Sequence, residues 1–171
     1  MSRVRFLHCV ILCIFLVALC SIGCQKQQGE KGTNISSEER DKIVSEVTAA
    51  MNSYGDAVRR LDAERTIAHY AKEPEFRVCF DNQISDYETL VSQVRKLFAS
   101  LGAVEGGFTD ITVLLLGPGV VAAIAPFRET LVDKSGNRSP VKGTVTWIWG
   151  RRGTEWKILY GHAVHEPDTG S

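Results

Sequence analysis

Cysteine is almost absent from the body of this 171-residue chain: Cys9, Cys13, Cys20 and Cys24 crowd the N-terminus and only Cys79 lies beyond them. That excludes an internal disulfide framework. Net charge is absent too, with 20 basic and 20 acidic residues, so no strong field gathers a phosphate backbone and no nucleic-acid partner is expected. There is no G-x-S-x-G nucleophile elbow, no P-loop and no G-x-G-x-x-G. The one glycine-dense turn, Gly117-Pro118-Gly119, carries a proline that removes an amide a phosphate would need. His162 and His165 stand three apart, which on a strand sends them to opposite faces, so no metal site is expected and no cofactor. No internal repeat is visible.

What is present divides by position. Arg3 and Arg5 precede an apolar run from Phe6 to Leu19 that ends in Ser21-Ile22-Gly23-Cys24, the layout of a secretory signal. The cysteine after Gly23, followed by Gln25-Lys26-Gln27-Gln28, resembles the lipobox of bacterial lipoproteins, with Ser21 where such boxes usually carry Leu. The resemblance implies lipidation of Cys24 and a membrane-anchored lipoprotein of the cell envelope, facing the periplasm or the exterior. The alternatives are a secreted protein with a plain cleaved signal and an uncleaved anchor, since residues 6–23 just reach the minimum membrane span of about 18. Loss of Arg3 and Arg5 with the signal leaves 18 basic against 20 acidic side chains. The expected organisation is a signal peptide over 1–23, a flexible tether over 24–36, one domain over 37–166 and a disordered tail over 167–171.

Helical periodicity opens the domain. Ser36 or Ser37 is suited to cap a helix, Glu38, Glu39 and Asp41 complement its positive end, and Ile43, Val47, Met51, Tyr54, Val58 and Leu61 recur at steps of three and four. This predicts a helix over about 37–61. A short second helix over Ala63–Tyr70 must stop before Pro74, Phe76–Phe80 reads as a strand, and the capping box Ser85-Asp86-Tyr87-Glu88 opens a third helix over Asp86–Leu101. The period then changes to two. Strands are predicted over Phe108–Leu116, Val120–Val132, Val141–Trp149 and Glu155–His165, each bounded by turn residues. Helices followed by an antiparallel meander make an α+β domain with the helices on one face of the sheet.

Strand parity assigns faces. With Arg152-Gly153 at the centre of a two-residue turn, Trp149 lies opposite Trp156, Trp147 opposite Ile158, Val145 opposite Tyr160 and Gly143 opposite His162. One face is then aromatic and ends in His162, while His165 points away. Trp149 and Trp156 read first as core, Trp147 as core or cavity wall, Cys79 as an inert core thiol, and His69 as a surface residue.

The stretch Gly143-Thr144-Val145-Thr146-Trp147-Ile148-Trp149, a tight turn, and Trp156-Lys157-Ile158-Leu159-Tyr160-Gly161-His162 resembles the last hairpin of SnoaL-like proteins in the nuclear transport factor 2-like superfamily. Leu61-Asp62-Ala63, His69-Tyr70-Ala71 and Phe76 are similar to that family's short second helix and following strand. The resemblance implies a cone: three N-terminal helices packed on a curved antiparallel sheet with a deep pocket between, and a homodimer joined through the outer sheet face. Its members include isomerases, cyclases, dehydratases and proteins without known catalysis, so the fold supplies no reaction. Tyr54 and Tyr70 have the sixteen-residue spacing of two site aromatics in the ketosteroid isomerase relatives. Asp81 lies near the general-base position, about two residues late, and Val145 stands where those enzymes carry a second oxyanion donor, which valine cannot replace.

The expected pocket residues are therefore Tyr54, Tyr70, Asp81, Trp147 and His162, with His162 and Asp81 as candidate bases and Asp81 or Tyr70 able to orient the imidazole. Two functions follow. The first is a lipid-anchored protein binding a small apolar molecule without catalysis. The second is an isomerase, lyase or hydrolase using His162 or Asp81 as general base.

Overall fold

The computed structural model describes residues 35–166. The signal, the tether up to Asn34, Cys24 and the tail over 167–171 lie outside the described residues.

Two helices come first, and a third follows a short hairpin over residues 77–85. Helix α1, Ser37–Arg59, starts where the Ser36 hydroxyl accepts the Glu39 N–H at 3.1 Å, and its buried stripe of Ile43, Val47 and Met51 is the one the spacing predicts. It ends two residues before the expected Leu61, which holds a left-handed φ of 54°. Helix α2 is only Ala63–Ile67, capped by Asp62, and α3 is Tyr87–Ser100, capped by the Asp86 carboxylate on Thr89 N–H at 2.9 Å. The helices carry most of their apolar surface on one side, and that side meets the sheet.

Seven strands follow and intersperse: β1 Arg77–Phe80, β2 Gln83–Ser85, β3 Leu101–Phe108, β4 Thr112–Gly117, β5 Val120–Asp133, β6 Arg138–Arg152 and β7 Glu155–His165. Their order is β2-β1-β7-β6-β5-β3, with β4 also on β5. The long β5 pairs with β6 along its length while its first half takes β4 and its second half β3. Every pairing is antiparallel except β1 with β7, which is parallel. The α+β class and the helix-covered curved sheet are as the sequence implies.

Two strands were not anticipated. The hairpin partner β2 is too short to show a period. Strand β3 occupies residues expected as a helix end and loop, because Gly102, Gly106 and Gly107 argue against a strand on propensity. Gly106 and Gly107 hold φ of 97° and 145°, and a Cβ at Gly106 would overlap the Arg128 carbonyl, so the glycines permit a close backbone approach. The expected strand Phe108–Leu116 is accordingly two: Phe108 closes β3, Asp110 turns with φ 49°, and β4 begins at Thr112.

The core lies between α1 and the sheet. Val47, Met51, Trp149 and Ile158 are completely buried there, and Trp156 joins them at 7% exposure. Trp156 donates its Nε1–H to Glu46 at 3.0 Å, and Arg151 pairs with the same carboxylate while lying 4.6 Å over the indole. Arg151 is thus part of the joint between α1 and the last hairpin. Cys79 is half-buried rather than core. Its neighbours Val78 and Phe80 face inward, and Cys79 takes the opposite face.

Candidate functional site

Helix α1, the end of α2, α3 and the inner sheet face enclose a cavity of about 260 Å³. Its wall is largely aromatic, with Phe80, Phe98, Phe108 and Phe127 beside Tyr54 and Trp147. Several polar groups interrupt that wall.

The two tyrosines that the resemblance singles out do meet. The Tyr54 and Tyr70 hydroxyls are 2.8 Å apart and their rings are perpendicular at 5.8 Å. Burial pushes the Tyr54 phenol up to about 12 and Tyr70 well above its ordinary value, so both are neutral donors at physiological pH. When one hydroxyl donates to the other, the acceptor retains a proton for a ligand. Trp147, 2% exposed, packs its ring within 5.8–6.2 Å of Tyr54, Phe80 and Tyr70. Gly161 lies opposite it on β7, and any Cβ there would overlap the indole. Trp147 Nε1 and the hydroxyl of Thr66, two buried cavity-lining groups, have no hydrogen-bond partner among the described residues. Such groups are costly in a dry site and satisfied by a ligand or water. Val145 also lines the cavity and adds no donor.

The histidine assignment needs correction. The hairpin turns at Gly153-Thr154, with Arg152 paired to Glu155, and a bulge places Ile148 opposite Tyr160 but Trp149 opposite Ile158, leaving Leu159 over. The extra residue reverses the facing of everything after it. Gly161, Ala163 and His165 face inward, and His162, paired with Thr146 and Cys79, lies on the outer face away from the cavity. The cause is visible in β7's other edge: Ile158 bonds to residues 69 and 71, and the chain then passes to β1 at Tyr160. His165, not His162, is the imidazole on the cavity.

Asp81 orients that imidazole. It sits just past β1 with a left-handed φ of 47°, accepts the His165 N–H at 2.9 Å and meets His165 Nδ1 at 2.6 Å. These contacts hold its carboxyl below the usual range. Phe127 packs edge-on to the His165 ring at 5.4 Å across Gly143, whose lack of a side chain opens the space.

Glu129 completes the mouth. It follows Phe127 by two residues on the same face of β5 and lines the cavity. Burial raises its pKa, partly offset by His165 and Arg59, and it makes no hydrogen bond or ion pair among the described residues. Beyond it a broader depression of about 420 Å³ is walled by Glu105, Arg128, Lys142 and Glu166, which carry charges of both signs. His69, expected at the surface, is half-buried outside this cavity, with Nδ1 2.8 Å from the Arg65 carbonyl and Nε2 3.2 Å from Ser53 Oγ. Thr66, Glu129 and His165 were missed from the sequence. A site threonine on a five-residue helix has no periodic signal, and the other two depend on pairings that sequence does not specify.

No family model matches the chain, and no curated protein matches it in sequence. Solved structures do match. A candidate scytalone dehydratase from Novosphingobium aromaticivorans superposes with a TM-score of 0.71 at 7% identity, over 77% of this chain and 89% of that one. A nuclear transport factor 2-like superfamily protein from Salmonella enterica gives 0.68 at 14%, over 77% and 96%. A candidate dehydratase of the same superfamily from Streptomyces avermitilis gives 0.65 at 16%, over 74% and 98%. At these identities the likeness is one of architecture, and it agrees with the element order and the helix-backed sheet: this chain has the nuclear transport factor 2-like fold.

Proposed function

We propose that this domain binds a small, largely apolar organic molecule in the cavity between its helices and sheet, and that it does so at the cell envelope, anchored through a lipid on Cys24. The observation that carries the ligand reading is an aromatic cavity of about 260 Å³ lined by the Tyr54–Tyr70 pair and by Thr66 and Trp147, whose buried hydroxyl and indole N–H have no partner among the described residues. A ring system with one hydrogen-bond acceptor would fill the apolar space and satisfy those donors. Native mass spectrometry of the full protein in detergent tests it: a bound small molecule released on denaturation is expected, and a bare chain from its native host contradicts the reading. For the address, Cys24→Ser should move the protein from the membrane fraction to the soluble one; unchanged membrane association refutes the lipid anchor.

The outer sheet face supports assembly as a homodimer. Leu114 and Tyr160 lie in one cross-strand row through Ala122 and Ile148, and with Leu116 and Val164 they are 42–58% exposed.

A second reading is proton-transfer chemistry of the isomerase or dehydratase type. It is favoured by the His165–Asp81 contact at 2.6 Å on the cavity mouth, which fixes the imidazole and leaves Nε2 as the group to exchange a proton. In this reading His165 takes the base role first given to His162, and Asp81 is its positioning residue.

A further inference from the structure

Glu129 is the charge at the cavity mouth that nothing answers. Four basic groups lie on the elements around it, each already committed. On α1, the Arg59 guanidinium pairs with Asp56 and reaches the Gly106 carbonyl at 3.4 Å. On β7, His165 is held by Asp81. On β6, Arg138 pairs with Glu105 of β3, and Lys142 with Glu166. Each of these sets is neutral or, with His165 unprotonated, negative, and Arg128, next along β5, alternates to the exposed face of the strand, so the Glu129 side chain is left without a partner of its own. Gly106, opposite Glu129 on β3, adds no side chain that could shield it.

What surrounds that carboxylate is aromatic. Phe127 lies two residues away on the same face, Phe108 is its neighbour across the β3–β5 pairing, and the Tyr54 ring stacks on Phe108 at 6.1 Å with Trp147 a further 5.8 Å from Tyr54. Aromatic faces present negative potential to a cation, and a carboxylate in a site removed from water adds to it. A neutral ligand would leave Glu129 as a desolvated group without a partner, whereas a cation would compensate it.

Resting on the ligand-binding reading above, we propose that the molecule held in this cavity is an organic cation: an apolar body, aromatic or alicyclic, bearing a protonated amine or quaternary ammonium that lies among Glu129, Phe127 and Phe108. The Tyr54–Tyr70 hydroxyl pair, also on the cavity, then receives whatever acceptor the body carries. The recognition is of charge and shape together, so neutral molecules of the same outline should be poorer ligands.

Calorimetric titration with benzyltrimethylammonium and with its neutral isostere neopentylbenzene separates the charge from the shape. The cation is expected to bind about tenfold more tightly, the aromatic rings and Glu129 each contributing, and Glu129→Gln is expected to cut that preference at least about threefold by removing the carboxylate's share. Equal affinity of the two probes for the unaltered protein, or an undiminished preference in the variant, overturns the cation assignment and leaves the ligand reading standing. Failure of both probes to bind overturns the ligand reading itself. The comparison on the unaltered protein decides the matter even if the variant folds poorly.

Discussion

At the scale of the residue, the site is marked by groups whose arrangement opposes stability. Glu129 is the clearest: an acid whose pKa is raised on folding keeps a proton that the unfolded chain has already released, so its contribution to stability falls as pH rises from the ordinary carboxylate value of about 4.3 through the raised folded value. Below that window both states are protonated and the cost is absent. Glu129→Gln should therefore raise the melting temperature at pH 7 and leave it unchanged at pH 3, measured by thermal unfolding at both; a lower melting temperature at pH 7 would mean that Glu129 has a stabilising partner. Trp156 stands for the opposite kind of residue. Its ring is core and its Nε1–H is bonded to Glu46, whose carboxyl is held below the usual range by Trp156 and then by Arg151. Trp156→Ala should cost about 3–5 kcal/mol in denaturant unfolding, as large core truncations do; a loss below about 1 kcal/mol would place the ring outside the core.

At the scale of the element, the three helices and the last three strands were legible because each follows a local rule. The cap at Ser36 and the stripe Ile43, Val47 and Met51 are fixed by residues within a turn or two of one another, whereas the third helix is capped by Asp86, one residue past the Ser85 of the expected box. Tyr54 and Tyr70 were picked out by the resemblance, whose spacing holds because both sit on or beside helices. The facing of β7 was not. It depends on one bulged residue, Leu159, whose extra place in the strand is set by hydrogen bonds to residues 69 and 71 on the other edge, far away in sequence. A parity argument carried across that bulge turns His162 inward and His165 outward, the reverse of what is found. Strand β3 escaped for a related reason, since its glycines serve a tertiary approach and not a strand preference. The β6–β7 pair makes a prediction of its own. Gly161 is where the Trp147 indole rests, so Gly161→Ala should drive the ring from its place, lower the melting temperature and weaken ligand binding together. Binding retained at full strength in a destabilised Gly161→Ala protein would show that Trp147 is not part of the cavity's recognition surface.

At the scale of the whole molecule, the described residues form a helix-backed sheet open at one end, with its aromatic lining and its partnerless donors inside, and its ion pairs and exposed Leu114, Leu116 and Tyr160 outside. The central claim is that the interior is a binding site and not an imperfectly filled core. The chain has only three tryptophans, and their indole N–H groups differ in the way this claim requires: Trp156 is bonded to Glu46, while Trp147 and Trp149 have no partner and only Trp147 lines the cavity. The most direct measurement is a nuclear magnetic resonance titration of these three indole N–H signals with acetophenone, a small ring bearing one carbonyl acceptor. The account predicts a saturable downfield shift of the Trp147 signal with Trp149 and Trp156 nearly still. A stationary Trp147 signal, or a shift confined to Trp156, would contradict it.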